Sequence, residues 1–175
     1  MVTITAFLVL PIFMGLAAIA DPFVVIAFGE KFAPSAVYMT ITSFSMFPGV
    51  VAWFLPNLLI ANGKTKAAFN LTVLNLFSSF FVAGATIWFG IKIMLLSTVI
   101  AGFALLPIRL YITNKYVPIS YRRLAYALTP PYVSSLGMYC VLINFKPYLT
   151  TLITNDLILI MALIAVGALI YISIH

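Results

Sequence analysis

The chain has 175 residues, of which 65% are hydrophobic and 7% charged, against roughly 25% charged in an ordinary soluble domain. Such a chain cannot cover itself with polar surface, and a mean hydropathy of +1.22 makes lipid its solvent. Nine basic and three acidic residues leave a net charge of +6; without a dense basic patch interleaved with aromatics this excludes nucleic acid as a partner and points to membrane topology and anionic lipid.

In hydrocarbon, backbone amides must be satisfied within the segment, and apolar runs of about twenty residues lack the alternation of a membrane barrel. The expected fold class is therefore all-α, a polytopic transmembrane bundle of about six spans forming a single domain over residues 1–175. The first span covers residues 3–28. It starts without a basic leader or cleavage site, so it is expected to stay as structure rather than be removed. Asp21-Pro22 interrupts it, with Pro22 kinking or restarting the helix, and Gly29-Glu30-Lys31 turns the chain. The second span, 34–61, contains Pro48, Gly49 and Pro56. These are candidate hinge residues for a helix that bends during transport, or marks of a static kink between Pro48 and Pro56.

Asn62-Gly63-Lys64-Thr65-Lys66 forms a tight polar loop before the third span, 67–89. That span carries Asn70, Asn75, Ser78 and Ser79, and its asparagines suit interhelical hydrogen bonding. Asn70-Leu71-Thr72 matches a glycosylation acceptor but lies inside the span, out of reach of the modifying enzyme. After Gly90-Ile91-Lys92 the fourth span covers 93–113, with Pro107 and Arg109 near its end. The longest polar connection, Asn114 to Tyr126, follows. Within it, residues 120–126 read either as a short interfacial helix capped by Ser120 or as a topology signal. The fifth span, 129–145, opens on Thr129-Pro130-Pro131 as a cap with first-turn prolines, contains Cys140 as a small buried hydrophobe, and ends at Lys146-Pro147. The sixth covers 152–174, with Asn155 and Asp156 in its first turn, where a carboxylate meets the positive end of the helix dipole.

Chemistry-bearing constellations are missing from the pattern. The single histidine is His175, the acids Asp21, Glu30 and Asp156 each sit beside a loop, and one cysteine permits no intrachain disulfide. No enzymatic activity, metal or cofactor is expected. Arg109 is the most informative charge. A guanidinium about one turn inside a span either faces protein, water or an anion, or snorkels to the nearby interface.

The stretch from Leu10 to Lys66 carries Leu10-Pro11 and Gly15-Leu16 ahead of Ala20-Asp21-Pro22, then Phe28-Gly29-Glu30-Lys31-Phe32 with Ala33 and Ala36, and Leu59-Ile60-Ala61-Asn62-Gly63-Lys64. Tyr126-Ala127-Leu128-Thr129-Pro130 and Met138 follow further on. Together these resemble the C-terminal half of bacterial polysaccharide flippases of the multidrug/oligosaccharidyl-lipid/polysaccharide exporter superfamily. The resemblance implies a two-lobed transporter that moves polyprenyl-diphosphate-linked oligosaccharide across the bacterial inner membrane. Such repeat-built transporters carry about twelve to fourteen spans, so six spans imply a C-terminal portion that works with a missing N-terminal half or a second copy. No residue here matches a family signature for the basic cavity. On electrostatic grounds alone, Arg109, Lys64, Lys66, Arg122 and Arg123 are the candidates for the anionic headgroup. A cation-coupled small-molecule exporter of the same superfamily and a non-transporting scaffold or assembly subunit are the alternatives. In a transporter, Arg109 and the asparagines of the third span should converge; in a scaffold they should scatter.

Orientation follows from the loops. Lys64, Lys66, Lys115, Arg122 and Arg123 flank the second-to-third and fourth-to-fifth connections, where Tyr111, Tyr116, Tyr121 and Tyr126 supply interfacial aromatics, whereas the other loops hold Lys31, Lys92 and Lys146. Lysine and arginine accumulate in cytoplasmic loops, so both termini are expected in the cytoplasm. A cysteine introduced by Lys64→Cys is then labelled from the cytoplasmic side and one at Lys92→Cys from the outside. Labelling of both from one side refutes this topology.

Overall fold

The computed structural model describes residues 2–152 and 156–174, and every regular element within them is helical. The elements are α1 (Val2–Ala18), α2 (Ala20–Phe28), a 3₁₀ turn (Glu30–Ser35), α3 (Ala36–Phe44), α4 (Met46–Ala61), α5 (Thr65–Thr86), a 3₁₀ turn (Ile87–Phe89), α6 (Ile91–Tyr116), α7 (Tyr121–Leu152) and α8 (Asp156–Ile174). Two of them are long and apolar enough to cross a membrane, α5 with its following turn (25 residues) and α6 (26 residues). The count rises to four if the broken pairs α1–α2 and Glu30–Ala61 are one span each.

The chain gathers into two compact units. One is Ser45–Ala127; the other combines Thr3–Phe44 with the residues from Leu128 onward. In the first unit α4, α5 and α6 run up, down and up, joined by short turns, and each packs on the other two. Gly63 ends α4 at a φ of +70°. Its amide reaches Ile60 O at 2.9 Å, and the next amide, of Lys64, reaches Leu59 O at 2.8 Å. This double closure needs a left-handed residue, which is why glycine follows Asn62. The second close turn places Ile87, Trp88 and Phe89 on the surface, with Trp88 89% exposed, at the end of α5 opposite Lys64 and Lys66. An exposed apolar and aromatic turn suits a membrane interface and not water.

The second unit is built around a broken helix. α1 stops at Ala18 and α2 restarts at Ala20, with a 74° change of direction. Pro22 occupies the third position of α2, where its missing N–H forfeits no helical bond. Ala20 and Val24 then pack on Ala36, with Met39 against them. Asp21, in the first turn of α2, forms an ion pair with Lys146 of α7. The Tyr171 hydroxyl of α8 donates to Phe7 O at 2.9 Å, and their rings lie 5.0 Å apart. Phe44 meets Tyr139 edge-on at 5.2 Å.

Several sequence expectations need correction. The second span breaks at Ser45, before Pro48, and α4 then runs unbroken through Pro48, Gly49 and Pro56, so the bend does not lie between the two prolines. Pro48 falls in the first turn, where a proline is tolerated. α7 begins at Tyr121 and ends at Leu152. Thr129 is therefore not a cap, Pro130, Pro131 and Pro147 lie inside the helix, and the long polar connection shrinks to four residues, 117–120. There Ile119 N donates to Asn114 Oδ1 at 2.7 Å and tightens the turn. Residues 121–126 form the first turns of α7 rather than a separate helix. Cys140 is exposed, not buried. Asp156 opens α8, while Asn155 and His175 lie outside the described residues.

Among the glycines of the first unit the closest helix approach is at Gly102 of α6, where an added Cβ would come within 3.0 Å of Pro48 Cγ and 3.3 Å of Pro48 Cβ. Gly102→Val should therefore destabilise the fold by about 1–3 kcal/mol through overpacking. Gly84→Ala on α5, which meets nothing within 4 Å, should be neutral or stabilising by up to about 1 kcal/mol from helix propensity. Thermal unfolding of the purified variants in one detergent distinguishes the two; equal behaviour would show that α4 and α6 do not rely on this close approach.

Candidate functional site

Arg109 sits eighteen residues after the start of α6, about 27 Å along it at 1.5 Å per residue. A helical side chain leans toward the N-terminus of its own helix, so that of Arg109 leans away from the nearby basic end and back into the span. The structure agrees with that direction. Arg109 is 7% exposed, and it lines a cavity of about 130 Å³ with Thr98, Gly102 and Leu105 of its own helix. Snorkelling to the adjacent interface is thereby overturned.

The other walls come from α4 and α5. Ser45 at the break together with Pro48 and Gly49 forms one side, and Ser78, Ser79 and Val82 of α5 form another. All these residues belong to the unit Ser45–Ala127. Ser79 and Thr98 are exposed, so the cavity has a mouth. The Ser78 hydroxyl donates to Asn75 O at 2.9 Å and that of Thr98 to Met94 O at 2.9 Å. Both are back-bonds to their own helices.

Arg109 Nε is buried and has no hydrogen-bond partner, and no carboxylate lines the cavity. The wider unit offers none either. Residues 45–127 contain seven of the nine Lys and Arg residues and none of the three acids. A charged group taken out of water is strongly unfavourable unless paired, so this guanidinium lacks a counter-charge that its own unit cannot supply.

Of the residues expected to carry function, the structure brings Arg109, Pro48 and Gly49 to one cavity, while Pro56 lies elsewhere on α4. Lys64, Lys66, Arg122 and Arg123 stay exposed, at the α4–α5 turn and the start of α7 respectively. The asparagines of α5 do not converge on Arg109. Asn70 is exposed, Asn75 Oδ1 is buried without a partner, and neither lines the cavity, whereas Ser78 and Ser79 of the same helix do. Ser45 and Thr98 escaped the reading of the sequence. The signal for Thr98 was present: positions 98, 102, 105 and 109 recur at helical spacing and share one face. Among the described residues no group of His, Cys, Asp and Glu could hold a metal ion. Compared with known proteins by family model, by sequence and by structure, the chain matches none.

A buried, unpaired charge weakens the fold that contains it. Arg109→Met should therefore raise the unfolding transition, by about 1–4 kcal/mol on the scale of buried charges replaced by apolar groups of similar volume. The measurement is thermal unfolding in a buffer whose only anion is too large to enter the cavity. A variant less stable than the parent would show that the guanidinium is already satisfied.

Proposed function

We propose that the chain is a polytopic bacterial inner-membrane protein of about six spans with both termini cytoplasmic, and that it forms part of a transporter moving polyprenyl-diphosphate-linked oligosaccharide toward the outer face. The observation that carries this reading is Arg109, a cation without a counter-charge held inside a helix of membrane-crossing length. An intramembrane ionisable residue facing a cavity is by default a mark of a substrate or ion pathway; the asparagines of α5 stay away from it, which favours the scaffold alternative, but Ser78 and Ser79 of the same helix line the cavity. The 74° break inside α1–α2 adds the discontinuous helix that recurs in transporters, and the motifs between Leu10 and Lys66 supply the likeness to polysaccharide flippases.

The cavity of about 130 Å³ is smaller than pockets that enclose drug-sized ligands, roughly 300–1,000 Å³. An oligosaccharide diphosphate therefore meets the exposed basic residues first. Lys64, Lys66, Lys115, Arg122 and Arg123 collect at one end of the α4–α6 bundle through its turns, and each contributes about 1 kcal/mol of attraction toward an anionic headgroup. Alternating access requires one bundle to rock against another, so transport calls for a further set of helices, supplied by an N-terminal half or a second copy.

Reconstitution with a fluorescent polyprenyl-diphosphate oligosaccharide tests the reading. The chain alone should bind the lipid in preference to a neutral analogue, weaken about a thousandfold when Lys64, Lys66, Arg122 and Arg123 are all changed to Gln, and not flip it. Absence of any preference for the diphosphate removes the transporter reading. Robust flipping by the chain alone shows instead that these helices already form a complete transporter.

A further inference from the structure

We propose that the cavity at Arg109 binds one small monovalent inorganic anion of halide size, in a site separate from the basic rim and independent of any lipid-linked substrate. Arg109 is 93% buried and directed into the cavity, with its Nε unpartnered. Water can fill such a space, but it leaves the charge of a desolvated guanidinium uncompensated. A carboxylate from the same unit is ruled out by composition, since residues 45–127 have no Asp or Glu.

The valence follows from the lining. Arg109 is its only cation, so a single negative charge neutralises the site, whereas a phosphate dianion would leave a buried excess. Size permits such an ion. A volume of about 130 Å³ equals a few water molecules at about 30 Å³ each, enough for a halide with part of its hydration shell. The polar lining adapts at little cost. The Ser78 and Thr98 hydroxyls now back-bond to carbonyls of their own helices, a weak and slightly helix-distorting arrangement. Each hydroxyl can rotate to donate to an anion while the carbonyl keeps its helical amide partner. Ser45, Pro48 and Gly49 add a wall at the N-terminal end of α4, whose dipole presents its positive pole.

The test is binding of radioactive chloride to the purified full-length chain in detergent, which requires neither transport nor lipid substrate, so its failure is distinct from failure of the flippase reading. Binding should saturate at one ion per chain and be displaced by bromide and nitrate but not by gluconate. Arg109→Met should weaken it at least about tenfold, equivalent to ~1.4 kcal/mol, while Lys31→Met, in the other unit, leaves it unchanged. Absence of saturable binding, or full binding by Arg109→Met, overturns the proposal. Displacement by inorganic phosphate or dodecyl phosphate as effective as by bromide overturns it also, and makes the cavity a phosphate or lipid-headgroup site. Should Arg109→Met fail to fold, the parent protein decides: its unfolding temperature should be higher in chloride than in gluconate at equal ionic strength, and equal temperatures reject the site.

Discussion

Apolar surface without a place to go governs this structure. In α5 and its following turn only 6% of the most apolar window is buried inside the protein, and in α6 none is, so the long helices turn their side chains outward to Phe77, Phe80, Phe81 and Phe103 rather than inward to a shared core. A surface of that kind is stable only against lipid or other apolar helices. The same surroundings provide no water for exposed amides, which favours helix throughout the described residues and keeps the connections short, as at the turns of Gly29, Gly63 and Gly90 and at 117–120. Small residues then decide where helices come close, as at Gly102 against Pro48 and at Gly167, whose added Cβ would sit 3.2 Å from Leu142.

The turns were legible because they combine glycine with polar residues, a pattern with one physical meaning in either solvent. Prolines were not. Thr129-Pro130-Pro131 and Lys146-Pro147 suggested a helix start and stop, but α7 passes through both. In water, a carbonyl deprived of its amide by proline is hydrated and the helix tends to end there. In an apolar setting no such partner is available, and continuing the helix with local adjustment is the lesser loss. The carbonyls that Pro130 and Pro131 leave without a helical amide are those of Tyr126 and Ala127, whereas the Ser134 and Ser135 hydroxyls back-bond to Pro130 O at 2.9 Å and Pro131 O at 2.6 Å, which keep their own helical amides. Short apolar sequence carries no mark of this choice.

The site was half legible for a related reason. A lone arginine among apolar residues announces itself, but its direction depends on the backbone, because the lean of a helical side chain turns Arg109 inward although the interface is near in sequence. Asparagines on α5 looked the more polar partners, yet rotation of that helix presents Ser78 and Ser79 to the cavity instead. Small hydroxyls are common inside apolar helices and satisfy themselves on their own backbone. Ser45 therefore gave no signal of its own until the helix break beside it was seen.

The Asp21–Lys146 pair joins residues 125 positions apart, and this separation has a consequence for biosynthesis. At 5–20 residues per second, the carboxylate is made roughly 6–25 s before its ammonium partner. Throughout that interval Asp21, a largely exposed carboxylate at the break between α1 and α2, is without this partner. This contact between α2 and α7 thus cannot form until α7 has been made.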